Sequence, residues 1–247
     1  MKNILHVDID IPLSQDLRYQ AIAHAIAVNA ANAPDPNVVE DIALAVDIER
    51  KWLTGKVLRI RFLEGHPIVQ QRVMETAKEW TQYANLTFDF GDHSKADIRI
   101  TFKSGYSCSY VGTDATLLDL YEAQESSMNF GWLEPDSPQE IYSAVVLHEF
   151  GHAIGCIHEH QTPTAGIKWN KPVVYKYFRD AMGWDKAMVD HNVFYVYAKD
   201  VTQHSTFDPT SIMAYPIQKA FTLDGYEVPW NSKLSEMDKS FIASKYP

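Results

Sequence analysis

Cysteine is scarce in this sequence, with two in 247 residues, Cys108 and Cys156. Two thiols could form one disulfide, but they cannot build the disulfide framework of a small secreted domain. We expect two buried small side chains instead, because free cysteine behaves mostly as a small hydrophobe. With 46% hydrophobic residues, a chain of this length can bury a core that needs no such cross-links.

Long apolar runs are also missing. The nearest candidate, "AIAHAIAVNAA" at residues 21–31, falls short of the about 18 consecutive apolar residues that a membrane span requires. The first 17 residues carry one lysine followed by aspartates, and they lack the apolar centre of a secretory signal. We therefore expect no membrane span and, if the protein is exported, a signal already removed or a route that uses none.

Positive charge is in deficit, with 22 Lys and Arg against 32 Asp and Glu and a formal net charge of −10. Binding to a phosphate backbone depends on clustered Lys and Arg that release counterions. The sequence contains no such cluster, which argues against a nucleic-acid partner.

The apolar pattern alternates between helical and strand periods and predicts an α/β (α+β) fold. Residues 1–50 contain two helical stretches broken at "APDPN", whose prolines mark a turn; this region is predicted to be a helical prefix or a pro-segment. Further on, "KVLRIRFLEG", "LTFDFG", "ADIRITFK" and "SSMNFGWL" have strand character, and "PIVQQRVMETAKEWTQYA" has helical spacing. Helices are also predicted at "KPVVYKYFRDAM" and "SEMDKSFIASKY", the second with the capping signature Ser235 and Asp238.

The most clearly marked helix is predicted from about residue 138 to residue 154. Ser137 is expected as its N-cap, Pro138 as its first residue and Glu140 as the partner in a capping box, while Gly155 supplies a left-handed stop. This helix carries the first part of "HEFGHAIGCIHEH", residues 148–160.

Three histidines in this stretch have the spacing of a metal site. His148 and His152 lie four residues apart on one helix face and can share one ion. Gly155 lets the chain turn with a positive φ, so that His158 can approach the same ion. Three imidazoles leave one tetrahedral position open for water, as in catalytic zinc sites, where the pKa of that water falls to about 7. Glu149, beside the first ligand, is suited to take the proton of the water.

The residues "HEFGHAIGCIHEH" match the signature HExxHxxGxxH of the metzincins, and "SIMAY" at 211–215 resembles their methionine turn. Glu159, directly after the third histidine, is the extension found in astacins, and the chain resembles the astacin-like branch of bacterial and fungal type. The resemblance implies a catalytic domain at 51–247. It would have an upper lobe (51–155) with a twisted mixed sheet and two long helices, a mostly helical and irregular lower lobe (156–247), and the active-site cleft between them.

The same resemblance implies roles for further residues. Met213 would form an apolar floor under the imidazoles, and Glu159 would support the two lobes. Tyr215 would be a displaceable fifth metal ligand and a hydrogen-bond donor to the oxyanion. His160, which lies outside the ligand spacing, is expected behind the metal ligands or at the surface. The strand "SSMNFGWL" would be the edge strand to which an extended substrate adds.

Astacin pro-segments place an aspartate on the zinc, which raises the question of whether residues 1–50 inhibit the enzyme. The prefix offers Asp8, Asp10, Asp35, Asp41 and Asp47. None lies in a recognisable context, so an ordinary helical prefix is the favoured interpretation.

The predicted function is a zinc-dependent endopeptidase that acts on protein or peptide substrates with Glu149 as general base and one catalytic zinc ion. One alternative is a metzincin-fold module that binds peptides without cutting them, and another is a zinc hydrolase of a non-peptide amide. Secretion is favoured over a cytoplasmic location. The sequence leaves open calcium binding, oligomeric state and the preferred cleavage site.

Overall fold

The computed structural model describes residues 8–9, 13, 15–33, 49–117, 121–197 and 206–247. Its helices are α1 (Gln15–Val28), α2 (Pro67–Ala77), α3 (Gln139–Ala153), α4 (Lys171–Met182), α5 (Lys186–Val189) and α6 (Glu236–Lys245). Its strands are β1 (Val57–Phe62), β2 (Thr87–Phe90), β3 (Ile98–Thr101), β4 (Ser107–Ser109) and β5 (Met128–Phe130). The α+β expectation is confirmed, while the second helix predicted for the prefix falls largely within residues 34–48, outside the described residues.

The strands form one mixed sheet in the order β2-β1-β3-β5-β4. Strand β1 runs parallel to β2 and β3, β3 runs parallel to β5, and β4 pairs with β5 in the antiparallel sense. The prediction that "SSMNFGWL" forms the edge strand is therefore wrong, because β5 lies between β3 and β4. The edge on this side of the sheet belongs to β4, whose "SCS" sequence is too short and too polar to produce a strand pattern.

The main core lies between the sheet and helices α2 and α3. Strands β1 and β3 contribute Leu58, Ile60, Ile98 and Ile100, and all of these are buried. The rings of Phe88 and Phe150 lie 5.2 Å apart at their centroids. The methionine turn and α6 belong to the same cluster through Met213, Phe241 and Ile242, among others. A second, smaller cluster gathers residues from α4 to Val228, including Val174, Phe178, Trp184 and Phe221.

Helix α3 starts one residue later than expected and without the predicted cap. Its N-cap is Pro138, at φ −55° and ψ 149°, and no side chain caps the helix. The Ser137 hydroxyl accepts a hydrogen bond from the Glu134 N–H at 3.0 Å instead, a local alternative that serine readily adopts. The helix ends at Ala153, one residue before the predicted end, and Gly155 has the positive φ expected of the stop, +98°.

Trp52, in the segment just before β1, is hydrogen-bonded to the end of α3 and to the residue that follows α6. The Trp52 indole donates to the carbonyl of Ala153 at 2.8 Å. The Trp52 N–H donates to the Tyr246 hydroxyl at 3.1 Å, and that hydroxyl donates to the carbonyl of Ile154 at 2.7 Å. The start of the lobe, the end of α3 and the C-terminal residues are thus held at one point.

Helix α1 is attached at this same point by two asparagines. Asn29 donates to the carbonyl of Trp52, and Asn32 donates to the carbonyl of Lys51, both at 2.8 Å. The Lys51 N–H donates back to the Asn32 side chain at 3.1 Å. A further hydrogen bond joins His24 to the Thr116 hydroxyl at 2.9 Å. The described part of the prefix is therefore docked on the sheet lobe.

Both cysteines are buried and free, as expected, and burial raises the pKa of the Cys156 thiol. Among the described residues, no helix has the length and apolar character needed to cross a bilayer.

Arg99 provides a test of how the sheet is held together. Its side chain is fully buried, and its guanidinium donates to the carbonyls of Ala96, Asp97, Ala115 and Glu125. Arg99→Met leaves these carbonyls without their donors, and we expect a loss of about 2–4 kcal/mol in the free energy of unfolding. The measurement is urea denaturation.

Arg59→Met is the matched control, because Arg59 lies on the neighbouring strand β1 with an exposed side chain. We expect a change below about 0.5 kcal/mol there. Equal losses for the two variants would contradict this account of Arg99.

Candidate metal centre

Three imidazole nitrogens meet where the sequence predicts a metal site. The Nε2 atoms of His148 and His152 lie 3.2 Å apart, those of His152 and His158 lie 3.2 Å apart, and those of His148 and His158 lie 3.3 Å apart. The first two histidines share one face of α3, and the turn at Gly155 brings the third to them. His152 and His158 are fully buried.

Hydrogen bonds on the far side of two of the rings fix their tautomer. Nδ1 of His148 donates to the carbonyl of Ile212 at 2.7 Å, and Nδ1 of His152 donates to the carbonyl of Cys156 at 2.9 Å. A carbonyl oxygen only accepts, so each Nδ1 carries a proton, and in the neutral form of each ring the lone pair of Nε2 points inward. Lone pairs held this close repel one another unless a cation lies between them.

The spacing of the nitrogens fits zinc. Zn–N bonds of about 2.0–2.1 Å in tetrahedral geometry separate the nitrogens by roughly 3.3–3.4 Å, and the observed separations are 3.2–3.3 Å. Imidazole nitrogen is also a donor that zinc prefers.

The fourth corner of this site is occupied by the carboxylate of Asp8. Its Oδ1 lies 3.1 Å from Nε2 of His158 and 3.3 Å from Nε2 of His148, and its Oδ2 lies 3.3 Å from Nε2 of His152. Burial acts to raise the pKa of Asp8, but His158 and His148, in their protonated form, outweigh it and hold the pKa well below its usual range. The three histidines and this ionised carboxylate form one group able to hold a metal ion.

Sequence reasoning named Asp8 only as one of five aspartates and favoured an ordinary prefix. Asp8 lies 150 positions before His158, and no local motif marks it. The one available signal was the presence of unassigned aspartates ahead of a three-histidine site that has an open position.

Neighbouring groups hold Asp8 by its backbone. The Ile9 N–H donates to the carbonyl of Ser107 on the edge strand β4 at 3.2 Å, and the Tyr215 hydroxyl donates to the carbonyl of Asp8 at 2.8 Å. Tyr215, expected as a metal ligand, is buried, and its ring lies edge-on to His158 with centroids 4.4 Å apart. In this arrangement its hydroxyl contacts the backbone of Asp8, while the Asp8 carboxylate faces the histidines.

Glu149 and His160, which are neighbours of the three histidines in the sequence, are both buried. Glu149 follows His148 on α3 and is 1% exposed. His160 donates from Nε2 to the carbonyl of Asn192 at 3.1 Å, and its ring stacks on Tyr215 with centroids 4.3 Å apart. His160 is 2% exposed, which excludes the surface position considered for it.

The methionine turn, residues 211–215, accepts hydrogen bonds from His148 on α3 and from Glu159 in the segment after α3. The carbonyl of Met213 accepts from the Glu159 N–H at 2.9 Å, while the preceding carbonyl accepts from His148. Glu159 is buried, and its Oε1 accepts from the Asp208 N–H at 2.9 Å. Burial raises the pKa of Glu159 to about 7. These bonds join the segment after α3 to the turn.

Comparisons with known proteins point to one group of enzymes. Residues 51–169 match the family model described as Matrixin. A 116-residue segment, 46% of the chain, is 33% identical to the zinc metalloproteinase dpy-31 of Brugia malayi, although it spans only 17% of that protein. Two structures of myroilysin are 43% identical to this chain, and each match covers 80% of it. The match covers 96% of the first structure with a TM-score of 0.76, and 86% of the second with a TM-score of 0.63.

A more distant likeness supports the fold alone. The high choriolytic enzyme 1 of medaka (Oryzias latipes), a hatching enzyme zinc-protease, is 16% identical, with a TM-score of 0.53 over 77% of this chain and 88% of the other.

Gly151 provides a test of the packing under the histidines. A Cβ atom at Gly151 would lie 2.3 Å from Sδ of Met213. We expect Gly151→Ala to lower the free energy of unfolding by about 1–3 kcal/mol through overpacking, even though alanine favours a helix by up to about 1 kcal/mol. Urea denaturation measures the change.

The control is the same substitution in a Met213→Ala chain, where the clashing sulfur is gone. Gly151→Ala should then cost little or nothing, because the remaining close atom, Cζ2 of Trp80, would lie 3.3 Å from the new Cβ and the alanine gains helix propensity. The same loss in both backgrounds would show that the methionine does not pack against this glycine.

Proposed function

The chain belongs to the metzincin family of zinc metalloproteases, and we propose that it is an astacin-like endopeptidase that Asp8 keeps inactive. The observation that carries the activity is the set of three Nε2 atoms at tetrahedral spacing, with a buried glutamate next to the first histidine. The astacin-like assignment is supported by Glu159 and by Tyr215 two residues after Met213.

His148, His152 and His158 are the proposed protein ligands. Zinc bound there supplies Lewis-acid chemistry, which polarises a carbonyl and makes water acidic enough to lose a proton near neutral pH. The hydrogen bonds from Nδ1 of His148 and His152 to carbonyls orient these rings and raise their basicity.

Glu149 is the proposed general base. It lies on the same helical turn as His148 and is shielded from solvent. In this role its carboxylate accepts a proton from the attacking water and then delivers it to the leaving amine.

Tyr215 is the proposed oxyanion donor. Its hydroxyl already donates to a peptide carbonyl beside the histidines, that of Asp8. A substrate carbonyl in the same place would receive the same hydrogen bond, and the bond would strengthen as negative charge develops on the oxygen.

The edge strand β4 is the proposed docking strand for peptide substrates. The carbonyl of Ser107 accepts from the Ile9 N–H, so β4 has a main-chain acceptor within reach of the cleft. An extended peptide would use the same kind of bond. Residues 8–9 and a substrate would therefore compete for one place.

Inhibition by Asp8 follows from its position. Its carboxylate fills the corner that a water molecule needs, and its backbone is held by Tyr215 and, through Ile9, by β4. The docking of α1 through Asn29 and Asn32 keeps this carboxylate close to the histidines.

Removing the Asp8 carboxylate should release activity. We expect Asp8→Ala to cleave an unstructured protein such as casein at least about tenfold faster than the unmodified chain, since a tethered competitor acts at a millimolar effective concentration. The initial cleavage rate at equal zinc content is the measurement.

Asp16→Ala is the matched control, because Asp16 is an exposed carboxylate in the first turn of α1. It should leave the rate unchanged. Equal cleavage rates for Asp8→Ala and the unmodified chain would show that Asp8 does not inhibit the enzyme.

Removing the proposed base should abolish cleavage without removing the metal. In the Asp8→Ala chain, Glu149→Gln should lower the casein cleavage rate by about 10²–10⁴-fold, with one zinc per chain retained by elemental analysis. Treatment with o-phenanthroline should stop cleavage by the parent.

Three outcomes separate this function from its alternatives. A chain that holds zinc and binds peptides but cuts none of them, with and without Asp8, would be a binding module. Hydrolysis confined to small non-peptide amides would identify the other zinc hydrolase. Residual activity near that of the parent in the Glu149→Gln chain would rule out Glu149 as the base.

A further inference from the structure

One buried carboxylate outside the metal site joins two parts of the chain. Asp238 lies on α6 and is 5% exposed. Its Oδ2 accepts from the Ser235 N–H at 2.8 Å, as part of the capping box at the start of α6. The same Oδ2 accepts from the Ile212 N–H at 2.8 Å, and Oδ1 accepts from the Ser211 hydroxyl at 2.6 Å.

The second pair of hydrogen bonds leads directly to a proposed metal ligand. Ile212, whose N–H is held by Asp238, has its carbonyl on Nδ1 of His148 at 2.7 Å. The Ser211 hydroxyl also accepts from the Met213 N–H at 3.0 Å. The path from α6 to the histidine therefore passes through one residue, with a short hydrogen bond on each side.

We propose that Asp238 is a positioning residue for the metal centre. It fixes the backbone of Ser211 and Ile212, so that the Ile212 carbonyl holds the His148 ring in its ligand orientation. This inference rests on the proposed role of His148 as a metal ligand.

The chemistry of the three donors favours a carboxylate at this position. Two N–H groups and one hydroxyl converge on two oxygens that can each accept more than one hydrogen bond. Asparagine keeps one acceptor oxygen, which can serve both N–H groups, and loses the acceptor that faces Ser211. Alanine removes all of these acceptors, so Asp238→Ala should disturb the turn more than Asp238→Asn does.

Helix capping alone is the rival explanation, and Ser235 separates the two. The Ser235 hydroxyl accepts from the Asp238 N–H at 2.9 Å, so Ser235→Ala breaks the capping box but leaves the contacts of Asp238 with the methionine turn. Ser211→Ala does the opposite, since it removes one contact with the turn and leaves the capping box.

The experiment measures zinc release from the full chain. Each variant is loaded with one zinc per chain, and the rate of metal transfer to 4-(2-pyridylazo)resorcinol is followed beside the urea unfolding midpoint. We expect Asp238→Ala to release zinc about 10–100-fold faster than the unmodified chain, the usual effect of losing a group that orients a ligand. Asp238→Asn should release zinc at a rate between those of Asp238→Ala and the unmodified chain. Ser211→Ala should release zinc several-fold faster than the unmodified chain.

Ser235→Ala is expected to lower the unfolding midpoint while its zinc release stays within about twofold of the unmodified chain, because a cap acts on helix stability. Unchanged release in Asp238→Ala would overturn the inference. If Asp238→Ala does not fold, the comparison of Ser211→Ala with Ser235→Ala decides, and equal release rates would overturn it. An unmodified chain that binds no zinc would overturn the proposed function and this inference with it.

Discussion

The close approach of three imidazole nitrogens is the constraint around which the site is organised. The nitrogens lie 3.2–3.3 Å apart, and protons on Nδ1 of His148 and His152 leave their lone pairs directed at one point. Such an arrangement is stable only with a cation at the centre or with rigid support around it. The carbonyls of Ile212 and Cys156 provide part of that support, which explains why segments distant in sequence meet behind the histidines.

The support reaches further than the residues that face the metal site. Met213 packs its sulfur against the Gly151 position, where a side chain would not fit, and Glu159 joins the segment after α3 to the turn. Through Asp238 the start of α6 is part of the same network. The last helix of the chain therefore bears on the geometry of a ligand on α3, although the two elements are far apart in sequence.

Local geometry explains which features the sequence could predict. The shared face of His148 and His152, the turn at Gly155 and the capping box of α6 depend on residues a few positions apart, and all three are present. Strand β4 was missed because three residues have no measurable period. The approach of Asp8 depends on how the prefix packs on the finished fold, and no local pattern encodes that. The Ser137 cap failed because its hydroxyl had a second backbone partner nearby.

The attachment of α1 changes what a break in the chain would do. Asn29 and Asn32 hold the helix to the backbone of Lys51 and Trp52 by hydrogen bonds, so a cut between residues 33 and 49 would leave the two pieces bound. The proposed inhibition by Asp8 would then become a bimolecular equilibrium between a peptide and an enzyme. Such a nicked molecule would be inactive at high concentration and become active on dilution. The concentration at which activity appears would be set by the dissociation constant of the two pieces.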